Sequence, residues 1–273
     1  MRKVLKRLAA ALAVVLAIAV IVDFGSSIFA EYRLARSVRA AAGLNWDPSA
    51  VILGFPFIPQ AVARRYGEVE IKTNDVEHAH VGKASLEATM HAVDLQESTW
   101  LIGPDAALPI GKLESRIIID SRHLGGFMHI PDLVVEAPSR DINNPGDDRG
   151  VQPEDLTTES GISDSHGLIF TGTPKAAGFD ERVSVAVDLT VTGPSRTTLV
   201  ITPTRVLTGP GTAEQAVPDD RLSAVLAAFR AELPDQRLPF GVAPTSQGAR
   251  GSDVIIEGIT EGVTVRLNGF KQS

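Results

Sequence analysis

The stretch Gly54-Phe55-Pro56-Phe57-Ile58-Pro59-Gln60 runs on through Ala61-Val62-Ala63-Arg64-Arg65 into Tyr66-Gly67-Glu68-Val69-Glu70-Ile71-Lys72. Two prolines set among Phe and Ile make a compact apolar knot. A short turn of small and basic residues follows, from Ala61 to Arg65. The chain then enters a strand, with Val69 and Ile71 alternating against Glu68, Glu70 and Lys72. That two-residue period sends successive side chains to opposite faces of a sheet. The segment holds no metal-ligand set, no nucleophile and no phosphate-cradling loop. Its chemistry is that of packing and of contact with something apolar.

Downstream of the knot, strand signals dominate. Ala84–Leu95, Leu113–Asp120 and Leu133–Ala137 read as strands, with a short turn or helix around Leu124–Phe127. Residues 138–163 break the pattern. They are polar and rich in Pro, Gly, Asp and Asn, which predicts a long mobile loop or a hinge. Strands resume at His166–Thr173 and Arg182–Thr192. In the second of these, Val183, Val185, Val187, Leu189 and Val191 share one face, while Ser184, Ala186, Asp188 and Thr190 share the other. Thr198–Leu207 continues the sheet, with Pro203 favouring an edge or bend. Asp219–Leu233 has the apolar stripe of an amphipathic helix. Leu238-Pro239-Phe240-Gly241 then echoes the first knot, and Asp253–Thr260 and Gly262–Asn268 read as two closing strands.

Upstream, Tyr32–Leu44 has helical spacing and a stop signal at Gly43. Arg33, Arg36 and Arg39 lie on its other side, as a solvated face or as a surface for anionic head groups. Residues 1–30 carry Arg2, Lys3, Lys6 and Arg7, then an apolar run from Leu8 to Val22 closed by Asp23. This is a signal peptide or an uncleaved N-terminal anchor. Either reading places the body outside the cytoplasm, and residues 31–273 are expected to form a single domain.

The 273 residues are 44% hydrophobic but include only ten Phe, two Tyr and two Trp, so the core is built mainly from Val, Ile, Leu and Ala. The fold class this predicts is α+β, a long curved antiparallel sheet packed with two or three helices. Scarce aromatic filler leaves room for a groove. The net charge is −7, and without residues 1–30 there are 22 basic residues against 32 acidic ones. Such an acidic body argues against nucleic acid as a partner. With no cysteine, disulfides and thiolate metal sites are excluded.

No catalytic or metal-binding constellation is complete in the sequence. His78-x-His80 lacks a third ligand at a recognisable spacing. The segment from Asp141 has Pro145 at a ligand position of a calcium loop, and Gln152 where the bidentate acid belongs. Ser165-His166 has no nucleophile elbow around it. Asp147-Asp148 are loop neighbours, and Asp219 or Asp220 reads as a helix N-cap. The expectation is therefore no catalytic residue, no metal and no cofactor. The best basic cluster is Arg64-Arg65 with Lys72 and Lys83. A planar guanidinium suits phosphate, although a solvated turn explains the same residues.

GFPFIPQ followed by the Tyr-Gly-Glu-Val-Glu-Ile strand resembles the signature of the LmeA family of exported actinobacterial proteins. VDFGSSIFAEYRLARSVRAA, LESRIIIDSRHLG, SGISDSHGLIFTGTPKAAGFD and LPFGVAPTSQGARGSDVIIEG extend the resemblance over nearly the whole chain. It implies a cell-envelope protein that binds phosphatidylinositol-type lipids, in a sheet-and-helix groove like that of the tubular lipid-binding proteins. It further implies support of mannan elongation in lipomannan and lipoarabinomannan, through maintenance of an envelope mannosyltransferase as partner. No active site comes with it.

The local reading assigns Phe55, Phe57, Ile58, Val183, Val185, Val187 and Leu189 to acyl chains, and Arg64, Arg65 and Lys83 to the head group. Two alternatives stay open: a scaffold for an envelope glycosyltransferase that binds no lipid, and an enzyme acting on a mannosylated lipid.

Overall fold

A computed structural model describes residues 2–95, 99–137, 161–209 and 211–271. Most of the loop expected at 138–163, with Asp141, Pro145, Asp147, Asp148 and Gln152, lies outside the described residues. The fold class is α+β. One sheet has the order β1 (Ser49–Leu53), β2 (Arg65–His78), β3 (Gly82–Asp94), β4 (Ala107–Asp120), β11 (Asp253–Arg266) and β10 (Ser246–Arg250). A second, antiparallel sheet runs β5 (Val134–Glu136), β6 (Leu168–Gly172), β7 (Val183–Thr192), β8 (Thr198–Leu207) and β9 (Ala231–Leu233). The helices are α1 (Arg2–Ala42), α2 (Phe57–Ala63), α3 (Ser121–Met128) and α4 (Asp219–Ala228).

By its packing the chain divides into two compact units. Unit 1 comprises Met1–Lys72, Ala88–Leu113 and Thr260–Ser273; unit 2 comprises Thr73–Glu87 and Glu114–Ile259. Strands as long as β2, β4 and β11 have 14 residues each, more than twice the usual five or six, so different stretches of one strand serve different cores.

In unit 1 the expected 32–44 helix and the apolar run before it are one continuous helix. Nothing between them breaks it: there is no proline, and one internal glycine, Gly25, is tolerated at modest cost. The helix ends at Gly43, whose φ of +62° is the usual left-handed exit. Asp23, Ala30, Leu34 and Val38 are buried on one face of α1, the spacing of a helical stripe. That face packs on β1, α2 and a 3₁₀ turn at Leu267–Gly269.

In unit 2, β7 is the middle strand of its sheet. Val183, Val185, Val187 and Leu189 are fully buried, and Ser184 and Ala186 on the opposite face are buried as well. The Ser184 hydroxyl is satisfied there by Thr171 Oγ1 at 2.8 Å and by the amide of Ala213 at 2.9 Å. Pro203 marks a bulge: Ala186 pairs with Arg205 and Val187 with Pro203, leaving Thr204 as the extra residue. Its hydroxyl donates to the Ala186 carbonyl at 3.0 Å.

Four local expectations change. The α4 N-cap is Pro218, so Asp219 and Asp220 occupy the first turn and meet the positive helix end as charges. Residues Ala231–Leu233, expected as the end of that helix, pair instead with β8. The two closing strands are one, β11. Ile162 and Ser163, expected in the long loop, are buried, and Ser163 exchanges hydrogen bonds with Ala249 at 3.0 and 2.9 Å.

Candidate lipid-binding site

The knot forms a corner of unit 1. The Phe55–Pro56 peptide is cis, and Pro59 lies inside the seven-residue helix α2. Pro56 at the N-cap has no side chain to offer the free amides of the first turn. Asp23 of α1 supplies the acceptors: its Oδ2 accepts from the Phe57 amide at 2.8 Å and its Oδ1 from the Ile58 amide at 2.7 Å. Gln60 ties the other side of the corner. Its amide nitrogen donates to the Gly54 carbonyl at 2.9 Å, and its oxygen accepts from the Gly67 amide at 3.0 Å. A Cβ on Gly54, whose φ is +109°, would come within 2.7 Å of that amide nitrogen, so glycine is required there.

The aromatics divide by role. Phe57 is 2% exposed, stacks on the buried Tyr66 and makes a T-shaped contact with Trp100. The Tyr66 hydroxyl donates to the Trp100 carbonyl, and burial pushes the phenol up to about 12. Phe55, in contrast, is 66% exposed and stacks on Phe24 of α1 at 5.7 Å. Ile58 is exposed beside it, and so is Val62, one turn further on, which sequence reasoning did not single out. These residues form an apolar surface that the unit's own core does not use.

Arg64 is the C-cap of α2 in the left-handed conformation, and its carbonyl accepts from the Leu95 amide at 2.8 Å. Arg65 opens β2 and pairs with Asp94 across 3.3 Å, with the arginine side chain largely exposed. Gln60, Arg65, Tyr66, Val93 and Asp94 line an open pocket of about 560 Å³. Unit 1 thus brings together Phe55, Ile58, Arg64 and Arg65 along the α2 segment, from the residue before its N-cap to the strand start after it.

The remaining expected residues lie in unit 2. Val183, Val185, Val187 and Leu189 have no exposed surface to offer a ligand. Lys83 pairs with Asp75 at 3.3 Å and lines a pocket of about 150 Å³ with Asp75, Asp120 and Asp253. Its charge is outnumbered there, which is the wrong balance for a phosphate. The Asp253 carboxyl is held above its usual range by burial and by the charge of Asp120.

Two polar clusters in unit 2 were not expected. Arg116 is buried, and its Nε meets Glu257 at 2.6 Å, its Nη2 meets Glu114 at 2.6 Å and its Nη1 meets Glu87 at 3.9 Å. Burial opposes its charge, but the bond to Glu257 and the neighbouring carboxylates hold the guanidinium above its ordinary value. His78 bonds the Asp235 carbonyl at 3.3 Å and Gln236 at 3.1 Å, and burial lowers its affinity for a proton. Apart from Glu114, the partners in both clusters are far apart in sequence. Among the described residues, no three His, Asp or Glu side chains converge in a way that would hold a metal.

Helix α1 is long and apolar enough to cross a membrane. An apolar corner bearing two arginines, set on an α+β scaffold with such a helix, defines a class of protein that works against lipid. The chain belongs to the LmeA-like phospholipid-binding family, whose model matches residues 21–259. We found no match among curated proteins and none among solved structures.

Proposed function

We propose that this protein is a non-enzymatic accessory factor of the cell envelope that binds phosphatidylinositol-type lipids. In that role it supports mannan chain elongation of lipomannan and lipoarabinomannan by maintaining the elongating mannosyltransferase. The observation that carries the lipid reading is the α2 corner, where exposed Phe55 and Ile58 stand within one short helix of Arg64 and Arg65. Apolar side chains meet acyl carbons and guanidinium groups meet the phosphate, the division of labour a phospholipid requires. The family's phospholipid binding supports the same reading. The resemblance supports the lipid class, the mannan role and the export. The β7 face of Val183, Val185, Val187 and Leu189 joins only if the packed side chains around it part to admit an acyl chain.

The test compares binding to phosphatidylinositol and phosphatidylcholine vesicles. The double variant Arg64→Gln/Arg65→Gln loses preference for the anionic vesicles by about 1 kcal/mol per charge. An unchanged preference removes the arginine pair from the site. Pull-down of a mannosyltransferase by a protein that shows no lipid preference favours the scaffold reading instead.

A further inference from the structure

We propose that α1 is retained as a membrane anchor, and that Phe55, Ile58 and Val62 dip into the outer face of the same bilayer. The inference is independent of which lipid the protein recognises.

The first observation is Asp23. Read along the sequence, it closes the apolar run. In the fold it is 6% exposed, with both carboxylate oxygens taken by the first two amides of α2. Glu31, the next acid, accepts from the Ile52 amide of β1 at 3.0 Å. Ala30 is 3% exposed on the same buried stripe. Cleavage after Ala30 would take Asp23 and Ala30 out of a packed face and leave the Phe57 and Ile58 amides without their acceptors. The family match begins at residue 21, so it includes this stretch.

The second observation is what lies outward. With Asp23 turned in, the exposed surface of α1 stays apolar past it through Phe24, Ile28 and Phe29. Leu8 to Phe29 rises roughly 33 Å at 1.5 Å per residue, enough for a hydrocarbon layer of roughly 30 Å. Residues 3–22 are exposed along their whole length. Arg2, Lys3, Lys6 and Arg7 stand at one end, the flank that stays cytoplasmic.

The third observation sets the depth. Phe55 stacks on Phe24, so the α2 corner meets α1 five residues short of Phe29, on the membrane side of the span's outer end. Trp100 lies 6.4 Å from Phe29, and Trp100 and Tyr32 are both exposed. Tyr and Trp at this level form the amphipathic belt found at membrane interfaces. Phe55, Ile58 and Val62, at 66%, 36% and 78% exposure, add apolar surface on the membrane side of that belt. A lipid bilayer covers all of these groups at once.

The absence of cysteine makes a clean test. The full chain with a C-terminal tag is expressed in an exporting host, and its N-terminus is read by mass spectrometry. The expected product lies in the membrane fraction, resists carbonate extraction and retains residues 1–30. A soluble product starting at Glu31 overturns the anchor. Single-cysteine variants Phe55→Cys and Val62→Cys are then spin-labelled and reconstituted in pure phosphatidylcholine vesicles, which present no anionic head group. Both labels are expected to collide several-fold more with oxygen than with a water-soluble nickel complex, relative to Ser195→Cys. Water-like collision ratios at both positions overturn the interfacial contact, whatever the arginine pair does with anionic lipid.

Discussion

The Asp23 carboxylate accepts from the Phe57 amide at 2.8 Å, joining a helix read from sequence as a signal peptide or an anchor to the corner that carries the candidate site. The same carboxylate holds the Ile58 amide at 2.7 Å. Asp23→Ala leaves two amides at the start of α2 unsatisfied and is expected to destabilise unit 1 by about 1–3 kcal/mol. Asp23→Asn keeps one acceptor oxygen and is expected to lose less. Both tryptophans, Trp46 and Trp100, belong to unit 1, so denaturation followed by tryptophan fluorescence reads that unit directly.

Arg116→Met is expected to destabilise unit 2 by about 3–5 kcal/mol, because Glu257 at 1% exposure would keep a charge without its partner. The double variant Arg116→Met/Glu257→Gln is expected to recover part of the loss. Circular dichroism during denaturation checks both, since unit 2 contains no tryptophan.

His78 gives unit 2 an acid-side weakness. Its folded pKa lies below the ordinary 6.5, so the unfolded chain takes up the proton first as pH falls. Its neutral form is fully accommodated above 6.5, and stability declines as pH drops below that value. His78→Gln is expected to flatten this slope, measured as melting temperature against pH between 7.5 and about 5.

Asp253 has the opposite sign. Its folded pKa is raised, so the native state holds the proton to higher pH than the unfolded chain, and stability is lost as pH rises through the folded value. Asp253→Asn is expected to raise the melting temperature at pH 7. The gain disappears below the ordinary carboxyl value of 3.8, where both states are protonated.

The α+β class was legible because its strands carry period-two alternation and turn residues between them. The candidate corner was legible for the same local reason: two prolines, two phenylalanines, an isoleucine and two arginines sit within twelve residues of sequence. What the sequence did not reveal depends on distant partners. Asp23 reads as the end of an apolar run until Phe57 and Ile58 are brought to it. Lys83 reads as a phosphate contact until Asp75, Asp120 and Asp253 surround it. The alternation of Val183–Val191 sorts its residues onto two faces, but neither its period nor its composition reveals that Ser184 would be buried against Thr171. Strands β1 and β10 were missed because SAVIL and SQGAR are short and pair at the two edges of the six-stranded sheet.

Phospholipid recognition is read out by mass spectrometry of the phospholipid that accompanies the purified full chain, compared with the host membrane it came from. Strong enrichment of anionic, phosphatidylinositol-type phospholipid is expected, reduced in the Arg64→Gln/Arg65→Gln variant. A lipid profile identical to that of the host membrane, unchanged in the variant, would contradict it.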